Sequence, residues 1–426
     1  MQIQTKPITL ITFAKLAICG IFLNYYCYNI LRGGLLPYGT AVFYAIAIVC
    51  VLGDLLQDRI SIGSEIKCWI VYIVFSLVTV GFAIDSNAAF NSIWEYVQRL
   101  ILIMMISYIC EKEKSVNYSI RLLAITAIAC AVSSLMMNES VSKKLTMTSG
   151  AIISTNDIGA IMAFGCFAVL FAFGLKEHKG LIKTLIKISY IIAALSVIFL
   201  AGSRKSILAI IILFVLLFLF CAKDYFNNIS TTQLIIVTLL LIATAIFVYN
   251  YLLPNVEQTD MYARIYGRKV EGTLESDADR IALYRQAMEA FFNNPLFGLG
   301  YNNFEVLHYG TYTHSTYVEP LACSGIGGFL YLAPYVMILA KQINLIKLFK
   351  HDTEERLWQK ELLAFYISFL FVGIGIPYIY KDIPCIILAM FIASQKISFD
   401  KLKEAELIEA SEEVNSESIT VKSFAN

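Results

Sequence analysis

Uncharged apolar runs recur along the whole chain, at residues 8–30, 35–56, 66–84, 92–110, 119–137, 156–175, 185–201, 206–222, 234–253, 316–340, 361–379 and 383–397. Each is close to the roughly 20 residues a helix needs to cross a bilayer, and lipid offers no partner to an unpaired backbone N–H or C=O. The expected fold is therefore an all-α integral membrane protein of about 12 transmembrane helices. Composition agrees: 58% of residues are hydrophobic and 15% charged, with a mean hydropathy of +0.69, whereas a soluble domain carries about 25% charged residues. The net charge of +1 gives no reason to expect a nucleic-acid partner.

Where the charges sit is more informative than their sum. Arg59, Lys67, Lys112, Lys114, Lys176, Lys179, Lys183, Lys223, Lys341, Lys347, Lys350, Arg356 and Lys360 all fall in loops on one side of the expected topology. By the positive-inside tendency that side is the cytoplasm, and both termini share it. The first apolar run could pass for a signal peptide, but the bulky Ile18 before Cys19 argues against processing, so it is read as the first membrane helix. All ten cysteines lie in or beside apolar runs and no CxxC pair exists, so they read as small buried hydrophobes.

Four regions follow: helices 1–9 over residues 1–253, one external loop over 254–315, helices 10–12 over 316–397, and a Glu- and Ser-rich tail over 398–426 expected to be disordered. A loop of that length among far shorter connections points to function. Inside it, Asp277 to Asn293 has Ile281, Tyr284, Met288, Phe291 and Phe292 at helical spacing, and Arg280 leads the stripe that runs through Tyr284, Ala287 and Phe291. Such a helix would lie on the membrane and carry Arg280 to the headgroup layer.

Several short patterns carry chemistry, each with a plainer alternative. Gly202-Ser203-Arg204-Lys205-Ser206 opens a helix on the outer face. Its free N–H groups and Arg fork suit a pyrophosphate, although two snorkelling cations would look alike. His314 stands where the loop returns to the membrane, and a group of pKa about 6.5 there can take a proton from a hydroxyl or merely satisfy an interfacial hydrogen bond. Glu319, a carboxylate just inside a span, is either the base itself or an orienting group for His314 or Arg280. Asp277-Ala278-Asp279 has a metal-holding DxD form, but acids in a first helical turn are better explained as caps, and no metal is expected. Asp157, after Thr155-Asn156, is a cap or a cavity wall, and Pro295 to Asn302 reads as a docking turn.

In order, these segments resemble the O-antigen ligase and polymerase family of bacterial membrane glycosyltransferases: the Ser203-Arg204 turn, Arg280 with Tyr284, Pro295-Leu296-Phe297-Gly298-Leu299-Gly300, and His314-Ser315, with Asn156 as a further family position. Tyr284 stands where the family often has Trp, and Ser315 where it often has Asn.

The resemblance implies a GT-C-like fold in the bacterial inner membrane with its active site on the periplasmic face. It also implies metal-independent, inverting transfer of a glycan from an undecaprenyl-pyrophosphate carrier to a sugar hydroxyl. No cofactor is implied, because the lipid-linked oligosaccharide is a substrate. Arg204, Lys205 and Arg280 would bind the pyrophosphate, and His314 with Arg280 and Glu319 would be catalytic. Asn156, Tyr284, Tyr301 and Asn302 would face the cavity or acceptor. A flippase and a chain-length regulator are the partners such a polymerase would have. A polymerase is the first expectation, a ligase the second, and a lipid-linked oligosaccharide flippase the reading from another class.

Overall fold

The computed structural model describes residues 9–31, 38–55, 62–136, 155–172, 181–201, 203–225, 277–308 and 310–423. In chain order the helices are α1 (Leu10–Leu31), α2 (Gly39–Leu55), α3 (Ser64–Thr79), α4 (Ser86–Lys112), α5 (Asn117–Met136), α6 (Thr155–Ala172), α7 (Leu181–Leu200), α8 (Arg204–Tyr225), α9 (Asp277–Asn293), α10 (Asn303–Leu307), α11 (Glu319–Ser324), α12 (Gly328–Leu348), α13 (Thr353–Gly373) and α14 (Ile383–Ser423). Among the described residues, 3-10 turns intervene at Val80–Phe82, Gly325–Gly327 and Tyr378–Tyr380. Each apolar run except 234–253, which lies outside the described residues, coincides with helix. Among the described residues, six stretches are long and apolar enough to cross a membrane: Ser64–Phe82, Ser86–Lys112, Asn117–Ser134, Arg204–Asp224, Glu319–Leu348 and Ile383–Leu407. Four more apolar helices are shorter, Leu10–Tyr26, Gly39–Asp54, Asn156–Ala172 and Leu185–Phe199.

Three expectations need correction. The run at 316–340 is not one helix: α11 stops at Ser324, Gly325 takes a φ of +55°, and α12 starts three residues later. Side-chain-free Gly325, Gly327 and Gly328 permit that break. The tail is not disordered from 398, because α14 continues to Ser423 through a run rich in Ala, Glu, Leu and Lys, all strong helix formers, with Lys401 paired to Glu355 and Lys114 to Glu404. Helix α4 begins at Ser86 rather than at 92, since the Asp85 carboxylate accepts the N–H groups of Asn87 and Ala88 as an N-cap.

Lipid is as apolar as leucine, so these helices associate through close packing and polar contacts rather than by exclusion from water. Small residues bring backbones together: Gly165 of α6 lies against Ala127 of α5 and Tyr190 of α7. The Ser107 hydroxyl of α4 donates to the Ala389 carbonyl of α14 (3.2 Å), and that of Ser368 in α13 to Ala209 of α8 (2.8 Å). Buried amides join three helices, Gln342 of α12 donating to the Gln359 side chain of α13 (2.6 Å) while Gln395 of α14 donates to the Ile338 carbonyl (2.8 Å). Phe167 and Phe365 stack at 3.9 Å across α6 and α13.

The two ends of the bundle differ. Lys112 pairs with Asp54, Lys15 with Glu113, Lys396 with Glu111, Lys341 with Glu65 and Lys360 with Asp224, which belts one end with ion pairs. Lys112, Lys114, Lys341 and Lys360, assigned to one side from sequence, do share that end. The helices α9, α10 and α11 gather at the other.

A Cβ at position 165 would collide with Tyr190 and Ala127. Gly165→Val is expected to lower stability by about 1–3 kcal/mol, the usual cost of overpacking, read as a lower midpoint in thermal denaturation of the detergent-solubilised protein, with Gly165→Ala less affected.

Candidate active site

The site is built around the turn that joins α13 to α14. Gly373, Gly375 and Pro377 end α13, because glycine weakens a helix and proline lacks the N–H to continue it. The turn that follows exposes its carbonyls, and four elements use them. Tyr284 of α9 donates its hydroxyl to the Ile374 carbonyl at 2.6 Å. Lys205 of α8 reaches the Gly375 carbonyl at 3.4 Å, crossing a spot where any Cβ on residue 375 would strike its side chain. Thr316 donates its hydroxyl to the Ile376 carbonyl (2.5 Å) and accepts the Tyr378 N–H (3.0 Å). Arg99 of α4 donates to the Ile379 carbonyl (3.3 Å) and pairs with Asp382 at 3.0 Å.

His314 is held between two pinned neighbours. The Thr313 N–H donates to the Glu319 carboxylate at 2.7 Å, and the Thr316 N–H to the Gly373 carbonyl at 2.8 Å. Ser315 accepts the N–H groups of Tyr317 (3.2 Å) and Val318 (3.4 Å), turning the chain into α11. Between these anchors His314 adopts a φ of +57°, a left-handed conformation uncommon outside glycine and tolerated where surroundings over-determine it. Its ring lies 4.4 Å from that of Tyr312.

Glu319 is fully buried, and its carboxylate accepts from the Thr313 N–H, from the Tyr380 hydroxyl (2.9 Å) and from the Cys323 thiol (3.6 Å). Through the first of these bonds Glu319 fixes the backbone one residue before His314.

The Ser203-Arg204 turn is packed as well as charged. The hydroxyls of Ser203 and Ser206 are buried and 2.7 Å apart, against Gly159 of α6, whose missing side chain makes room for both. This contact seats the first turn of α8, with Arg204 and Lys205 half-buried, beside the first turn of α6, with Asn156 and Asp157. Asp157 pairs with Lys381 at 2.8 Å, and both line a pocket with Tyr25, Tyr26, Tyr378 and Asp382. Burial would lower the Lys381 ammonium's pKa, but the facing Asp157 carboxylate and Tyr312 hold it above the ordinary lysine range, so it is charged at neutral pH.

Helix α9 spans the residues read from its periodicity, and one side of it packs on protein. Ala287 is buried against Phe304, Ala322 and Cys323, and Leu283 and Ala290 flank it. Ile281 and Phe292 stay exposed on the helix's other side. Arg280 is half-buried one helical turn before Tyr284, on the flank tied to Ile374.

The Pro295–Asn302 segment docks as expected. The Leu299 N–H donates to the Ala322 carbonyl (3.0 Å), the Ile84 N–H to Leu299 (3.3 Å), and Gly298, at φ +67°, leaves no room for a side chain beside Cys323–Gly325. Tyr301, expected to face an acceptor, is a core residue instead. It is 1% exposed and its ring lies 6.2 Å from those of Tyr72, Tyr96 and Tyr380. Asn302 takes the left-handed turn (φ +58°) that starts α10.

From sequence, Lys381 is only one of the cations in the outer-side loops, and the 373–382 turn and Arg99 do not stand out. Their signals were a Gly-x-Gly-x-Pro break after an apolar run and a Lys-Asp pair in a short loop, neither informative until the partners are known.

Glu319→Ala would leave the Thr313 N–H and Tyr380 hydroxyl buried without an acceptor. A loss of about 2–4 kcal/mol is expected, seen as a lower unfolding midpoint and faster hydrogen exchange at residues 312–316, with Tyr380→Phe milder.

Comparison with known proteins then adds one finding: residues 189–333 match the family model described as O-antigen ligase. That span contains Arg204, Lys205, Arg280, Tyr284, Tyr301, Asn302, His314 and Glu319, while Asn156 and Lys381 fall outside it. No curated protein matches the chain.

Proposed function

We propose that this chain, which residues 189–333 assign to the O-antigen ligase and polymerase family, is a polymerase of bacterial cell-surface polysaccharide. It transfers glycan from a polyprenyl-pyrophosphate carrier to a sugar hydroxyl, without a metal and with inversion. The observation that carries the reading is that Lys205, Tyr284 on the Arg280 helix, and Thr316 beside His314 all close on three successive carbonyls of one turn. Cationic and basic groups from three distant segments are thereby anchored at one end of the bundle.

The chemistry follows from those groups. Arg204 and Arg280 present planar forks that match phosphate oxygens, with Lys205 nearby as a point charge. His314 accepts the proton of the acceptor hydroxyl as its oxygen forms a bond to the anomeric carbon. The bond from that carbon to the phosphate oxygen breaks, and the leaving pyrophosphate takes the electron pair, stabilised by the arginines. Glu319 acts through the backbone, holding Thr313 so that His314 keeps its geometry.

In this reading the lysine-belted end faces the cytoplasm with both termini, and the site faces the periplasm from the inner membrane. Helices beyond the six long spans complete about twelve crossings in a GT-C-like arrangement, with the carrier's chain lying along them. A flippase would deliver the carrier and a regulator would set chain length. Ligase activity needs the same constellation and differs only in the acceptor. A transporter is disfavoured, because its charges would sit near the bilayer midplane at broken helices.

The test is glycan length in a strain lacking this gene, complemented at matched expression with wild type, Arg280→Ala or His314→Ala. Wild type is expected to restore long polymer. Each variant should lower the rate by at least about 100-fold and leave single repeats on the carrier. Long but unattached polymer in the deletion strain would replace polymerase with ligase, and full restoration by both variants would overturn the catalytic assignment.

A further inference from the structure

Lys381 belongs to none of the roles above, yet its ammonium faces the ring that packs on His314. Its ammonium lies 5.7 Å from the centroid of Tyr312, and that ring lies 4.4 Å from His314. On its far side the ammonium pairs with Asp157 in the first turn of α6, and the next residue, Asp382, is fixed by Arg99 of α4. Tyr380, one residue before, bonds Glu319 and packs 6.2 Å from Tyr312. Tyr312 is therefore bracketed by Tyr380 and Lys381, both on a turn anchored to α4 and α6.

We propose that Lys381 is a positioning residue for His314: Asp157 fixes its ammonium, the ammonium holds the face of the Tyr312 ring, and the ring holds the imidazole of His314 toward the acceptor. The attraction of a cation to an aromatic face supplies the middle contact. The strained backbone of His314 makes the ring's direction depend on its surroundings, since a left-handed φ between two pinned segments is held only where the packing over-determines it. The contact is selective for charge. Arginine in place of Lys381 preserves both the ion pair and the cation–ring contact, whereas methionine keeps the length and loses both.

The role rests on the proposed use of His314 as base, so two independent readouts are needed on the full chain in lipid nanodiscs. The first is turnover of lipid-linked glycan extracted from cells lacking the gene. Lys381→Met is expected to lower kcat at least tenfold with KM for the donor within twofold of wild type, Lys381→Arg to recover most of that loss, and Tyr312→Leu to reproduce Lys381→Met. A raised KM with unchanged kcat would overturn the proposal and make Lys381 a direct phosphate contact.

The second readout needs no activity: the rate at which diethyl pyrocarbonate modifies each of the four histidines, resolved by mass spectrometry. In Lys381→Met and in Tyr312→Leu the rate at His314 is expected to change at least threefold, while His178, His308 and His351 keep wild-type rates and report an intact fold. An unchanged rate at His314 would overturn the proposal. If His314→Ala turned over normally, the base assignment would fall, and the labelling would still decide whether Lys381 holds the ring.

Discussion

Three carbonyls in a row, on Ile374, Gly375 and Ile376, are the constraint on which the active end depends. A helix would have used them internally. Because α13 ends at Gly373, they face outward, and in a poorly hydrated setting each must find a donor. The donors are Tyr284, Lys205 and Thr316, from segments up to 170 residues away in the chain. The backbone's need for partners thus gathers Tyr284, Lys205 and Thr316 at one turn, and the same bonds that satisfy the turn assemble the candidate site.

The rest of the bundle supports this end by distributing its polar contacts unevenly. Through the middle, packing rests on small residues such as Gly165, on stacked rings such as Phe167 and Phe365, and on serine hydroxyls given to the carbonyls of neighbouring helices. At the lysine-belted end, ion pairs join one helix to another across the surface. At the other end, charged side chains are also tied to the backbone of a turn, as with Lys205 on Gly375 and Arg99 on Ile379. That arrangement ties cations to the turn as well as to carboxylates, as with Arg99 on both Ile379 and Asp382.

Much of the fold was legible because lipid makes a simple demand. An apolar run of bilayer length can only be helix, so the helices from α1 to α8 and α12 to α14 could be read from residue type, and α9 from the spacing of Tyr284, Ala287 and Phe291. Errors came where local chemistry intervened: Asp85 capping α4 early, Gly325 breaking a span into α11 and α12, and helix formers carrying α14 past residue 398. For the site, His314, Arg280 and Arg204 stood out as wrong-side or boundary charges. Tyr301 misled, because an aromatic beside two glycines reads the same whether it faces a cavity or, as here, a core of tyrosines.

The sequence by itself determined that the chain is helical and membrane-spanning, and which few polar residues stand out against an apolar background, since both follow from residue type and spacing. Only the tertiary structure decided that Glu319 holds Thr313, that Lys381 sits between Asp157 and Tyr312, and that the Gly373–Asp382 turn unites them. Those relations join residues tens to hundreds apart along the chain. The pairing of a carboxylate with one N–H, or of an ammonium with one ring, is fixed by how the helices pack and leaves no periodic mark in the residues that make it.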